Sequence, residues 1–245
     1  MIECSIENKI ASIALNRPDK RNAMSPEMLD ELQSAIDQLP DDLRAITLTG
    51  NGKTFCAGFD LKRCAADPTG ETMRSLLSGL SGIVSTLRSK PFPVILGVHG
   101  AAVAGGCALL GGADIVLADR NAKLGYPVVK IGVSPAVSAP FMLASITPGA
   151  ARNRLIDTEL INATRAHKIG LVHQLVDSPE HVRSKAQQIA EQLASKPTTG
   201  VRATKVWLNE IGAPMTNHAA EGLHASLALA GNDEECTRLA ELWGN

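Results

Sequence analysis

The run GAAVAGGCALLGGADIVLAD (residues 100–119) carries two adjacent glycines, Gly105 and Gly106, directly ahead of a segment with helical character. A glycine at a helix start lets the backbone come close to a bound group, and the first turn of a helix carries N–H donors with no intrahelical partner. Such donors are free to point at a bound group. The glycines do not fit G-x-G-x-x-G and no G-K-[ST] follows, which argues against a dinucleotide or phosphate loop. Cys107 lies too far along the helix to be a nucleophile beside those donors and reads as a small core residue. His99 ends the preceding strand and reads as structural, while His173, His218 and His224 have no recognisable partner in the sequence.

The elements that must position this stretch alternate along the chain. IASIALNRP (10–18) is a strand that stops at Pro18, followed by a polar, basic loop. Ser25-Pro26-Glu27 is an N-cap, a first-turn proline and an acidic first turn, and Met28, Leu29, Leu32, Ala35, Ile36 and Leu39 then fall on one helical face. RAITLTG (44–50) is a second strand, and NGKTFCAGFDLK after it is a glycine-punctuated loop. Met73, Leu76, Leu77, Leu80, Ile83, Val84 and Leu87 predict a helix over 71–89. PFPVILGVHG and ADIVLAD are further strands on either side of the glycine helix. Past residue 136 only LVHQLV (171–176) reads as a strand, and Ser178-Pro179-Glu180 repeats the N-cap signature before Val182, Ala186, Ile189, Ala190 and Leu193. The alternation predicts an α/β fold with helices covering a sheet, and a largely helical C-terminal third.

At 245 residues the chain can bury a full core without staples. Its five cysteines are odd in number and form neither C-x-x-C nor a Cys/His cluster, which speaks against a disulfide framework or a metal site and for a reducing, cytoplasmic setting. Neither a signal pattern nor an apolar membrane span is visible. A formal net charge of −1 with interspersed signs gives no general attraction for nucleic acid or anionic membrane, and 3% aromatic residues leave few base-stacking platforms. The composition points to a small-molecule protein.

LNRPDKRNAMSPEMLDEL (15–32), TFCAGFDLK (54–62) and HGAAVAGGCALL with ADIVLAD (99–119), taken together, resemble the crotonase, or enoyl-CoA hydratase/isomerase, superfamily. AKLGYPVVKIGVSPA (122–136) and ATRAHKIGLVHQLV (163–176) match the family's later stretches, so the resemblance spans roughly residues 5 to 178. It implies a ClpP-like spiral of β-β-α repeats over 1–180, holding the CoA and oxyanion site. A C-terminal helical region over 181–245 would pack a homotrimer or dimer of trimers. The implied ligand is an acyl-CoA thioester, with coenzyme A as part of the substrate and no separate cofactor or metal.

By motif position the resemblance places the backbone N–H groups of Phe59 and Gly105 at the thioester oxygen, where two preorganised donors stabilise an enolate. Arg21 and Ala23 of KRNAM would meet the CoA phosphates and the adenine or pantetheine, Ala57, Asp60 and Leu61 would line the pantetheine and adenine channel, and Gly58 would belong to the same substrate-binding set. The two glutamates that orient water and move protons in the family's hydratases fall at Ala108 and Val128, and the aspartate of some isomerases falls near Ala136. The serine nucleophile of peptidases on the same broad fold falls at Ala104. Tyr126, Lys130, Ser134 and Ser138, and further back Asp60, Asp67, Glu71 and Arg74, are the polar residues in the segments where a substitute could lie. Three readings stay open: enolate chemistry of the hydratase/isomerase class, a base-free reaction such as decarboxylation of a malonyl-type thioester, and a non-catalytic acyl-CoA-binding homologue.

Overall fold

A computed structural model describes residues 1–244, with backbone alone for 213–216. Nine strands alternate with helices. The strands are β1 (Ile2–Glu7), β2 (Ile10–Leu15), β3 (Ala45–Gly50), β4 (Val94–Val98), β5 (Ala101–Val103), β6 (Ile115–Asp119), β7 (Lys123–Gly125), β8 (Ile161–Asn162) and β9 (Gln174–Val176). The helices are α1 (Pro26–Asp37), α2 (Leu61–Ala65), α3 (Glu71–Ser89), α4 (Gly105–Ala108), α5 (Ala139–Ser145), α6 (Pro148–Ile156), α7 (Ala163–Lys168), α8 (Val182–Ala194), α9 (Thr198–Thr216), α10 (Ala219–Leu227) and α11 (Asp233–Trp243).

Six strands form one sheet in the order β1-β2-β3-β4-β6-β9, parallel throughout except for the β1–β2 hairpin. The strand period of two divides its side chains between two cores. Ile13, Leu48, Leu96 and Val116 face the main core with α1 and α3, and Ile10, Ala45, Ile95 and Leu117 face the apolar stripe of α8. After β4 the chain turns into the second sheet, β5-β7-β8, whose central strand pairs parallel to β5 and antiparallel to β8. Strand β5 leads straight into α4, and its neighbour β7 leads into Tyr126, so the two sheets deliver the glycine helix and the Tyr126 segment side by side.

Ser25 caps α1 as its type predicts, with its hydroxyl accepting from Met28 N–H at 3.4 Å, and α3 runs over the predicted 71–89. Two local expectations differ. Ser178 makes no side-chain capping bond, because a 3₁₀ turn over Pro179–His181 stands between it and α8. LVHQLV contributes only Gln174–Val176 to the sheet, since Leu171 and Val172 return their N–H groups to the Ala166 carbonyl at the end of α7. All five cysteines are free thiols, with Cys56, Cys64 and Cys107 buried. Among the described residues no helix is long and apolar enough to cross a membrane.

Candidate active site

The loop over 54–60 is held on both sides by backbone pairing. On one side Phe55 N–H donates to the His99 carbonyl, Cys56 N–H to the Ala101 carbonyl at 3.1 Å, and Val103 N–H to the Cys56 carbonyl at 3.0 Å, which lays the loop along β5. On the other, Met24 N–H donates to the Gly58 carbonyl at 2.7 Å and Asp60 N–H to the Met24 carbonyl at 2.9 Å. Because an extended chain turns alternate amides to opposite sides, these two bonds leave the Phe59 N–H facing away from Met24. Among the described residues neither Phe59 N–H nor Gly105 N–H has an acceptor. Unpaired backbone donors inside a fold call for a partner, and here two of them belong to neighbouring segments.

The glycines explain how these segments come together. A Cβ on Gly105 would lie 2.7 Å from Met24 Cε and 2.9 Å from the Phe59 ring, and one on Gly106 would lie 2.6 Å from the Cys56 carbonyl oxygen. Gly58, at φ 96°, would bring a Cβ to 2.9 Å from the Val103 carbonyl. Between them Ala104 takes φ 52° and ψ −115°, a conformation that L side chains avoid, fixed by its N–H donating to the Gly125 carbonyl at 2.8 Å. Such strain costs on the order of 1–3 kcal/mol and persists where the surroundings over-determine it. Ala104→Gly is therefore expected to raise stability by about 1 kcal/mol after the added unfolded-state entropy is subtracted, seen as a higher denaturant midpoint at unchanged slope.

The two N–H groups stand at an apolar cavity of about 280 Å³. Met73, Leu77 and Leu80 of α3 form one wall, Val133 and Val137 another, and Leu242 and Trp243 at the end of α11 close it. Among the described residues no Asp or Glu lines it. Its polar lining comes from Tyr126, Lys130, Ser134 and Ser138 together, the four residues of the later segment that the sequence offered as substitutes. Tyr126 and Ser138 are buried, and the Tyr126 hydroxyl donates to the Cys107 carbonyl at 3.0 Å. Burial pushes the Tyr126 phenol well above its ordinary value, and the neighbouring Ser138 hydroxyl works in the opposite direction. Cys107 itself is buried, its thiol pushed up to about 11 by burial, as suits a core residue.

Of the residues implied by the resemblance, Ala57, Phe59, Leu61 and Gly105 line this cavity, and so do Ala108 and Val128 at the two glutamate positions. Gly58, Arg21, Ala23 and Asp60 lie outside its lining. The Asp60 carboxylate is taken up by Arg17 at 2.8 Å, and Arg17 also donates to the Ala23 carbonyl at 2.9 Å. Arg21 is exposed in a left-handed conformation, and its carbonyl accepts from Ala57 N–H. Asp67 is occupied with Thr69 and Thr72 at the start of α3, which holds its carboxyl below the usual range, and Glu71 and Arg74 face outward beside it. His99 is structural, its ring nitrogen donating to the Gly52 carbonyl at 3.1 Å.

Three contributors were not found from the sequence. Asn22 is fully buried and its amide donates to the carbonyls of Asn51, Thr54 and Phe55 while its oxygen accepts from Arg17 N–H, which pins KRNAM to the donor loop. The cue was an Asn in a loop between basic and apolar residues, a type that tolerates its φ of 53°. Nothing in the sequence signals that Leu242 and Trp243 reach the cavity, which depends on α11 folding back over α2.

Comparison with known proteins places the chain in a family. The family model for enoyl-CoA hydratase/isomerase matches residues 5–232. A 1,2-epoxyphenylacetyl-CoA isomerase of Escherichia coli K12 is 34% identical over 213 residues, 83% of this chain and 80% of that one. A crotonyl-CoA hydratase of Syntrophomonas wolfei is 33% identical over 210 residues, 83% of this chain and 79% of that one. The crystal structure of an enoyl-CoA hydratase/isomerase from Mycobacterium paratuberculosis superposes with a TM-score of 0.88 at 27% identity, covering 98% of both chains. With a family match over residues 5–232 and relatives at 33–34% identity, the chain belongs to the enoyl-CoA hydratase/isomerase family of the crotonase superfamily.

Proposed function

We propose that the protein binds an acyl-CoA thioester and acts through its enolate in the hydratase/isomerase class, with the thioester oxygen received by the N–H groups of Phe59 and Gly105. The observation that carries this is the pair of N–H donors without acceptors at the head of an apolar cavity. Charge moving onto a thioester oxygen is worth most to fixed donors in a low-dielectric site, since they need no reorganisation as the charge arrives. The apolar walls suit the acyl chain. The KRNAM segment, with exposed Arg21 and backbone groups near Ala23, serves the CoA end outside the cavity.

A second reading is favoured by Ala108 and Val128 lying on the cavity wall. Decarboxylation of a malonyl-type thioester generates the same enolate without a protein base, and an apolar wall desolvates the leaving carboxylate. Incubating the pure protein with enoyl-, 3-hydroxyacyl- and malonyl-type CoA esters, with products followed by mass spectrometry, separates the readings. Conversion of an enoyl or hydroxyacyl ester is the expected result. Loss of CO₂ from the malonyl ester alone would favour the second reading, and binding of CoA esters with no conversion of any would sink both.

Self-association belongs to the same proposal. Helix α9 presents Val206, Trp207, Leu208 and Ile211 to solvent, an apolar stripe that a monomer rarely leaves uncovered. Copies of this chain packed through α9 into a closed ring would bury it, and sedimentation velocity is expected to show a trimer or a multiple of three. A monomer at all concentrations would contradict it.

A further inference from the structure

Behind the acyl cavity lies a second, smaller one of about 20 Å³, room for a single water. The two share three lining residues, Ala108, Tyr126 and Ser138, so the Tyr126 and Ser138 side chains stand in the partition between them. The far side of the small cavity is lined by Ser145 and His173. Ser145 donates its hydroxyl to the Phe141 carbonyl at 2.8 Å, which leaves its oxygen as an acceptor. His173 accepts Val116 N–H on Nδ1 at 2.9 Å, which makes Nε2 the protonated nitrogen of the neutral ring, and the residue itself is exposed. A water there would meet the polar groups of Tyr126, Ser138, Ser145 and His173, and the exposed His173 borders bulk solvent.

We propose that Tyr126 and Ser138 form a hydroxyl relay that carries a proton from a water in this small cavity to the enolate carbon in the acyl cavity. The relay rests on the enolate reading above and supplies the proton-moving half that Ala108 and Val128 cannot. The water gives a proton to Ser138 Oγ, Ser138 passes its own to Tyr126 Oη, and the Tyr126 O–H bond breaks as the proton bonds to the α-carbon. The enolate electron pair forms that C–H bond and the thioester carbonyl is restored. The hydroxide left in the small cavity takes a proton from bulk water at the His173 end. At rest the Tyr126 hydrogen points to the Cys107 carbonyl, and turning it toward the acyl cavity is a rotation about one C–O bond. The buried phenol stays protonated at all ordinary pH, as a donor must, and an enolate carbon is a far stronger base than a phenolate. Ala108 takes part by its size, because a longer side chain there would fill the space between the two cavities.

The test uses the full-length protein in D₂O with crotonyl-CoA and methylmalonyl-CoA, whose hydration and decarboxylation each leave one solvent deuteron on a prochiral α-carbon. Wild-type protein is expected to give one epimer. Tyr126→Phe is expected to slow turnover about 10²-fold, the usual weight of a positioned acid, and to scramble the deuterium at the α-carbon while ester binding changes less than twofold. Ser138→Ala, smaller by one atom and a second check should the first variant unfold, is expected to slow turnover about tenfold with the same scrambling. Turnover abolished by Gly105→Ala but kept by Tyr126→Phe, in rate within threefold and in stereochemistry, would overturn the relay and leave the enolate reading standing. No turnover of either ester by wild-type protein would overturn the enolate reading and the relay with it.

Discussion

Gly105→Ala is expected to lower kcat/KM by 10²- to 10³-fold on whichever CoA ester the protein converts, with a much smaller change in ester affinity. The added Cβ would meet Met24 Cε at 2.7 Å and the Phe59 ring at 2.9 and 3.2 Å. Met24 can move, but Phe59 carries the second proposed donor on its own backbone, so relieving the clash shifts both halves of the proposed oxyanion site at once. Loss of one such donor costs about 3–4 kcal/mol of transition-state stabilisation. The effect should fall on kcat, because the donors act most strongly on the charge-bearing oxygen. Steady-state kinetics check it, with Gly149→Ala as control: a Cβ there meets nothing within 4 Å. Equal kcat for Gly105→Ala and wild type would place the oxyanion elsewhere.

Asp114→Ala is expected to destabilise the fold by about 3 kcal/mol and lower the melting temperature by about 10 °C, without any residue of the acyl cavity being touched. The Lys205 ammonium, 5% exposed, sits 2.7 Å from the Asp114 carboxylate and 2.9 Å from the Phe92 carbonyl. Asp114 also accepts Val94 N–H at 2.7 Å, so one carboxylate ties α9 to the start of β4. Removing it strands a cation whose burial already pulls its pKa down. Lys205→Met, which deletes the charge and keeps the stem, should cost far less, because a buried pair exchanged for apolar packing is close to neutral. Comparable losses for the two variants, read by thermal unfolding, would show that the position fails for want of packing.

How much of this was legible in the chain depends on what each feature is made of. Helices α1 and α3 could be read because Ser25-Pro26 and an unbroken 3.6-residue stripe are local signals. Strand β1 was not predicted, since every residue after Ile2 is exposed in this edge hairpin and leaves no buried alternation to read. The donor loops were legible through their glycines: contact between Gly105 and the Phe59 ring, 46 positions apart, tolerates no Cβ, and that prohibition is written in the sequence as a residue type. Tyr126 and Ser138 carried no such mark. Their meaning arises only where β7 hands the chain to a 3₁₀ turn beside α4, setting a phenol and a hydroxyl between two cavities. Asp60 shows the converse, because a polar residue inside a functional motif is spent on holding Arg17.

The closing of the acyl cavity by the last turn of α11 has an optical consequence. The chain holds two tryptophans, Trp207 and Trp243. Trp207 is 60% exposed on α9, far into solvent in a lone copy, and Trp243 lines the acyl cavity. The protein thus carries two built-in fluorophores, one on the exposed apolar face of α9 and one at the cavity. Trp207→Phe would leave an emission spectrum that follows occupancy of the cavity, and Trp243→Phe one that follows association of copies, so both equilibria can be titrated without a label.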